Sequence, residues 1–333
     1  MRKLKCKWLL LILCCLLAIA GAAVPVSAEG REVYLGGMPA GFTLEMDGVQ
    51  VVGVCEILTK DGTRCPAKEG GLQVGDVILS YGGIRIGSAA DIGAALAAQG
   101  AKPAEVVVRR GEEEHTKRVE AAEDIASGRF RLGVLIRDSI SGIGTVTYIE
   151  KGSRRFGSLG HAVADESGKP LGVGRGEIFR CAIVDVVRGE CGRAGELKGL
   201  IYREEGVASA DKNCETGIYG NFSAGYDCSS LPVVQVGRDA HPGRASIWAT
   251  VDGGAPREYA VSIVKTDDDN RRNKNFVLKV TDGDLLRETG GIVQGMSGSP
   301  IVQDGKLIGA VTHVFLNDPT RGYGISIGRM LGN

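Results

Sequence analysis

Apolar residues in this chain recur mostly in short runs broken by polar residues and glycines, and one stretch departs from that rule. Trp8 to Val24 is almost continuously apolar, behind a basic head of Arg2, Lys3, Lys5 and Lys7 and ahead of the small-residue site Val26-Ser27-Ala28. That pattern predicts a signal peptide or an uncleaved membrane anchor over residues 1–28, and export in either case. From Glu32 to Glu120 the pattern is strand-rich with one helix. The run Val49 to Leu58 (Val51, Val52, Val54, Ile57) stops at the turn Lys60-Asp61-Gly62. Ser88, followed three residues later by Asp91, predicts a capped helix start, with Ile92 and Leu96 facing inward and an end near Gly100. Val106 to Val108 reads as a short strand, and Glu112 to Ile125, charged and then alanine-rich, as a connector. From Arg131 the alternation resumes in short segments separated by glycines, with no long helix. The polar stretch Asp267 to Lys274 reads as a solvated hairpin tip. Many short strands over about 200 residues predict a closed or sandwiched β architecture.

Composition narrows the classes. The 333 residues are enough for two ordinary domains, and 40 basic residues balance 40 acidic ones, so no electrostatic case exists for a nucleic-acid partner. The 51 glycines and few aromatics favour a turn-rich β protein over a helical bundle. Beyond the exported head, Cys55, Cys65, Cys181, Cys191, Cys214 and Cys228 remain, an even set that permits disulfides outside the cytoplasm, with Cys55–Cys65 the first pair to test. No Cys-x-x-Cys pair or zinc-finger spacing occurs, so neither a metal nor another cofactor is expected.

The chemistry concentrates near the C-terminus. In Gly290-Gly291-Ile292-Val293-Gln294-Gly295-Met296-Ser297-Gly298-Ser299-Pro300, a serine sits between glycines in a tight turn that leads into an apolar strand. The hexapeptide Gly295 to Pro300 resembles the nucleophile segment of chymotrypsin-like proteases. Glycines there let backbone N–H groups approach a reacting carbonyl, which makes Gly295 and Ser297 the expected oxyanion donors. A serine nucleophile needs a base. Of the four histidines, His115 lies among charges and His241 in a turn; His313 lies sixteen residues after Ser297 on the following strand, and His161 follows a Gly-rich strand pair. The ring also needs an acceptor, and Asp282 and Asp185 compete for that role.

Two resemblances organise these readings. Residues 29–122 are similar to a bacterial-type PDZ domain through Ala67-x-x-Gly70-Gly71-Leu72-x-x-Gly75-Asp76-x-Ile78-Leu79, and Gly41-Phe42-Thr43-Leu44 fits its carboxylate-binding loop. Such a module implies a partner's C-terminus, or an internal segment, added as a strand. Residues 123–333 resemble the SpoIVB peptidase family of endospore-forming bacteria. The shared residues are Gly160-His161, Thr281-Asp282-x-x-Leu285-Leu286, the Gly290 to Pro300 segment, Ile308 to Val314, and Asn317-Asp318-Pro319-Thr320-x-Gly322-Tyr323-Gly324. The resemblance implies a mainly β chain with a chymotrypsin-like double β-barrel peptidase domain behind the PDZ module. It implies His161 as base, Ser297 as nucleophile, Asp282 as acid and Thr312 as an accessory residue. It also implies an extracytoplasmic serine endopeptidase, in the space between forespore and mother cell. Its substrate there would be a membrane-bound regulator of an intramembrane metalloprotease, which then activates a late sigma factor; self-cleavage belongs to the same expectation. A non-catalytic PDZ scaffold and a general envelope quality-control protease are the alternatives.

Overall fold

The computed structural model describes residues 30–164, 168–270 and 272–332, so the expected signal or anchor segment lies outside the described residues. In chain order the first elements are β1 (Glu32–Leu35), β2 (Pro39–Val54), β3 (Ile57–Thr59), β4 (Gly62–Arg64), α1 (Pro66–Glu69), β5 (Val77–Tyr81), β6 (Ile84–Arg85), α2 (Ala89–Gln99), β7 (Ala104–Arg110), β8 (Glu113–Val119), β9 (Ala122–Asp124) and β10 (Arg129–Arg131). Next come β11 (Val134–Glu150), β12 (Arg155–Ser158), β13 (Val173–Val187), β14 (Glu196–Cys214), β15 (Gly217–Phe222), β16 (Val233–Val236), β17 (Gly243–Ala249), β18 (Arg257–Thr266) and β19 (Phe276–Val280). The chain closes with α3 (Gly283–Thr289), β20 (Pro300–Gln303), β21 (Lys306–Phe315), β22 (Asp318–Ser326) and α4 (Ile327–Leu331).

Strand pairing closes two rings. In the first, β2, β11, β12, β15, β14 and β13 each pair with the next, and β13 returns to β2. In the second, β17, β18, β19, β22, β21 and β20 do the same, and β20 returns to β17. Closure removes the exposed edges that open sheets must protect. Each ring is filled by its own apolar set. Phe42, Leu44, Phe156, Ile178, Ile218 and Phe222 pack in the first, and Ile247, Val261, Ile263, Phe276, Leu278 and Ile301 in the second. The strand β1 joins the two, pairing with β11 on one edge and with β16 on the other, while β16 pairs with β21.

The PDZ segment is an insertion between the first two strands of the first ring. Within β2, Ala40, Phe42 and Leu44 fill the ring, whereas Val49 and Val51 belong to a separate core with Ile78, Tyr81, Ile92, Leu96, Val106 and Val108. Gly48 (φ 109°) separates the halves, and a Cβ there would stand 2.7 Å from Val77 Cγ1. The expected helix forms as α2, with the Ser88–Asp91 capping box complete and Ile92 and Leu96 buried.

Two expectations about this segment are corrected. Its first residues belong to the peptidase sheet: β1 and β2 up to Met46 pair with β11, β13 and β16, so they are not part of the PDZ domain expected over residues 29–122. Gly41-Phe42-Thr43-Leu44 is also no carboxylate-binding loop. It is mid-strand, paired on one edge with Ser141 to Ile143 and Ile140 of β11 and on the other with Gly176 to Phe179 of β13, so its main-chain groups are already engaged. A Cβ on Gly41 would meet the Ile201 side chain at 2.6 Å, which gives this glycine a packing reason. The edge that stands open lies on β11 instead: among the described residues, Val134 to Ile143 pair only with β2. Beside it lies α2, whose Ala89 N–H donates to Asp138 Oδ2 at 2.9 Å. No disulfide forms among the described cysteines; Cys65 donates its thiol to Gly133 O rather than bonding to Cys55.

Candidate active site

Two loops from different rings meet over β21. The first follows β12. Leu159 (φ 64°) and Gly160 (φ 71°) are successive left-handed residues that turn the chain sharply before His161. A Cβ on Gly160 would lie 2.9 Å from Thr312 Cγ2, so the missing side chain lets this turn press against β21. The second loop, Gly290 to Ser299, runs from α3 into β20 and is anchored by the fully buried Met296. Gly298 (φ 96°) approaches β11 so closely that a Cβ would stand 2.1 Å from Thr145 O.

His161 and His313 face each other with ring centroids 5.0 Å apart and planes tilted by 39°. His161 Nδ1 lies 2.8 Å from Ala162 O. A carbonyl can only accept, so Nδ1 carries the proton and Nε2 keeps its lone pair, the tautomer a general base requires. Burial pushes the His161 pKa down, partly offset by that carbonyl bond. His313 is pushed down to about 4, by desolvation first and then by His161 and Lys274. Both rings are therefore neutral at pH 7.

Ser297 Oγ donates to Thr312 O at 2.8 Å. Thr312 thus reaches the serine through its main chain, while its hydroxyl turns away and donates to Asn273 O at 3.3 Å. The N–H groups of Gly295 and Ser297 donate to no protein acceptor among the described residues, and their neighbours Met296, Gly298 and Ser299 all do. Two free, adjacent donors beside a serine hydroxyl can receive an oxyanion.

The expected acid stands elsewhere. Asp282 is the N-cap of α3: Oδ1 accepts from Asp284 N and Leu285 N at 3.0 Å, and Oδ2 from Ala260 N at 3.2 Å. These backbone bonds, outweighing desolvation, hold its pKa below the usual carboxylate value. Among the described residues no hydrogen bond joins it to His161. Its competitor Asp185 sits exposed on β13, 3.7 Å from Lys198 Nζ. The geometry predicts that Asp282→Asn, which keeps one cap acceptor, retains activity within about tenfold. Asp282→Ala, losing the cap, destabilises the fold by about 1–2 kcal/mol. Steady-state rates and thermal melts of the two variants check this. A hundredfold rate loss in folded Asp282→Asn would return the acid role to it.

Three site residues escaped the sequence reading. Asn273, placed there on a solvated tip, is 6% exposed and bonded to Thr312. Thr145 and Thr147 flank the core residue Val146 on β11 and face the serine loop, to which both hydroxyls bond. Their signal was available: two hydroxyls two residues apart in an apolar strand must find partners when buried. No group of three or more His, Cys, Asp or Glu side chains among the described residues could hold a metal ion.

The chain is a serine peptidase that carries a PDZ domain. It belongs to the SpoIVB peptidase S55 family, whose model matches residues 128–331, while a PDZ domain model matches residues 62–110. Among solved structures, it is similar to the PDZ domain of the SdrC-like protein Lmo2051 from Listeria monocytogenes, at 19% identity over 28% of this chain and 90% of that one, with a TM-score of 0.23. It is also similar to an inactive form of the Rv3671c protease, at 12% identity over 57% of this chain and 81% of that one, with a TM-score of 0.33. An inactive serine-to-alanine mutant of Rv3671c from M. tuberculosis H37Rv matches at 13% identity over 57% and 78% of the two chains, with a TM-score of 0.32. No curated protein matches the chain.

Proposed function

We propose that this chain is an exported endopeptidase of sporulation signalling, which cuts the extracytoplasmic part of a membrane-bound regulator. Family membership supports the role, and the meeting of His161 and Ser297 loops from two closed rings supports the chemistry and the chymotrypsin-like double barrel. In the proposed reaction the Ser297 hydroxyl turns from Thr312 O to His161 Nε2, gives up its proton and attacks the peptide carbonyl. The N–H groups of Gly295 and Ser297 take the oxyanion, and His161 then protonates the leaving amine. Here a main-chain carbonyl, Ala162 O, orients the ring and holds its tautomer.

The observation that carries the choice of substrate class is the open edge of β11 beside α2. An extended segment of the regulator adds there as a strand, and β11 continues from that edge into the peptidase ring. The basic head and apolar run of residues 1–28 support export into the space between forespore and mother cell. The test is complementation. In a spore-former lacking its own SpoIVB peptidase, the full chain should restore a reporter of the late sigma factor, and its Ser297→Ala form should not. Equal restoration by both would mean that the chain acts there as a scaffold. No restoration by an active, exported chain would assign it to other substrates.

A further inference from the structure

The loop that presents Ser297 is held through its carbonyl oxygens. Gln294 O accepts from Leu197 N at 2.9 Å, Met296 O from Ser299 N at 2.9 Å, and Ser297 O from Thr145 N at 2.9 Å. The two remaining carbonyl oxygens between Gln294 and Gly298 are held by side chains: Gly295 O accepts from Thr145 Oγ1 at 2.8 Å, and Gly298 O from Thr147 Oγ1 at 2.7 Å. Because a peptide group is planar, fixing its oxygen also fixes the direction of its N–H. The peptide between Gly295 and Met296 stands between the two free donors, the N–H groups of Gly295 and Ser297. Gly295 has φ 95°, a region open to glycine at little cost, so the backbone at this residue is held by its hydrogen bonds rather than by side-chain sterics. The peptide's N–H bond to Val293 O is long, at 3.2 Å, and the hydroxyl of Thr145 is the side-chain bond on its oxygen.

We propose that the Thr145 hydroxyl is a positioning residue for the oxyanion donors, locking the Gly295–Met296 peptide so that both N–H groups converge on one point. Thr145 is 2% exposed, so water does not substitute for this bond. It touches neither substrate nor the reacting atoms. It acts through the loop, and its main-chain N–H, which holds Ser297 O, is unchanged by side-chain replacement. The proposal rests on Ser297 being the nucleophile.

Its test uses the purified full chain with Thr145→Val, which keeps the shape without the hydroxyl, Thr145→Ala, which lacks both hydroxyl and methyl, and Thr145→Ser, which keeps the hydroxyl. Turnover is followed on unfolded casein, and phosphonylation of Ser297 by a fluorophosphonate. Removing an oxyanion donor outright costs about a hundredfold to a thousandfold in kcat, so loosening its support should cost Thr145→Val at least about tenfold, with KM within about twofold. Labelling should slow in parallel, and Thr145→Ser should recover to within about threefold of the wild type. A Thr145→Val chain with wild-type kcat overturns the proposal, as does a Thr145→Ser chain as slow as Thr145→Ala. The serine comparison decides even if the valine chain fails to give the wild-type near-ultraviolet circular dichroism. A wild-type chain that takes no label on Ser297 overturns the nucleophile assignment and this proposal with it. Normal wild-type labelling alongside unaffected Thr145 variants overturns the proposal alone.

Discussion

Ser297→Ala abolishes peptide cleavage while the protein remains folded. Among the described residues the hydroxyl makes one hydrogen bond, to Thr312 O, so its loss costs stability only about 0.5–1.5 kcal/mol. The loop around it keeps its other restraints, since Met296 stays buried and Gly298 N still donates to Val311 O at 2.8 Å. The free N–H groups of Gly295 and Ser297 survive the change. A site reduced to them retains about three to four orders of magnitude over the uncatalysed reaction, which is below detection in an ordinary peptidase assay. Peptide turnover measured beside a thermal melt separates the two effects. Undiminished turnover in the alanine form would remove Ser297 from the chemistry.

His161→Ala is equally inactive, whereas His313→Ala retains activity within about tenfold. The difference follows from position: His161 comes from the opposite ring and has its Nδ1 proton held by Ala162 O, whereas His313 lies on β21, in the same ring as the serine loop. Reversed losses would exchange the two roles. The pH profile carries the same logic. Burial lowers the His161 pKa, so the base stays unprotonated below the ordinary histidine value, and the acid limb of kcat/KM falls below about 6.5. The sign for stability agrees. The folded form binds protons at His161 and His313 less readily than the unfolded chain does. Stability therefore falls as the pH drops from the ordinary histidine value towards the about 4 of His313, which melts across that range will show.

Local signals in this chain carried far and long-range ones did not. The Ser88–Asp91 capping box, the buried Ile92 and Leu96 and the serine turn depend on neighbours within a few residues, and all three were legible. Gly41-Phe42-Thr43-Leu44 matches a PDZ carboxylate-binding loop only as a local string of residues. Its pairing with β11 and β13 joins residues about a hundred positions or more away, which no short pattern encodes. Asp282 was read as a catalytic acid although its surroundings fit a helix start equally well. An aspartate three residues before an apolar pair, with Gly290 in the left-handed conformation at the far end, is the signature of the short helix α3. The Thr145 and Thr147 contacts lay hidden for the same reason as the β2 pairing, because the residues they hold are some 150 positions further along.

The central claim is that Ser297 is a nucleophile activated by His161. Peptide mapping by mass spectrometry after treatment with a fluorophosphonate tests it most directly. The account predicts one adduct on the full-length protein, located on Ser297, and none on His161→Ala in the same time. An adduct on another serine, or equal labelling of Ser297 in the folded His161→Ala chain, would contradict it.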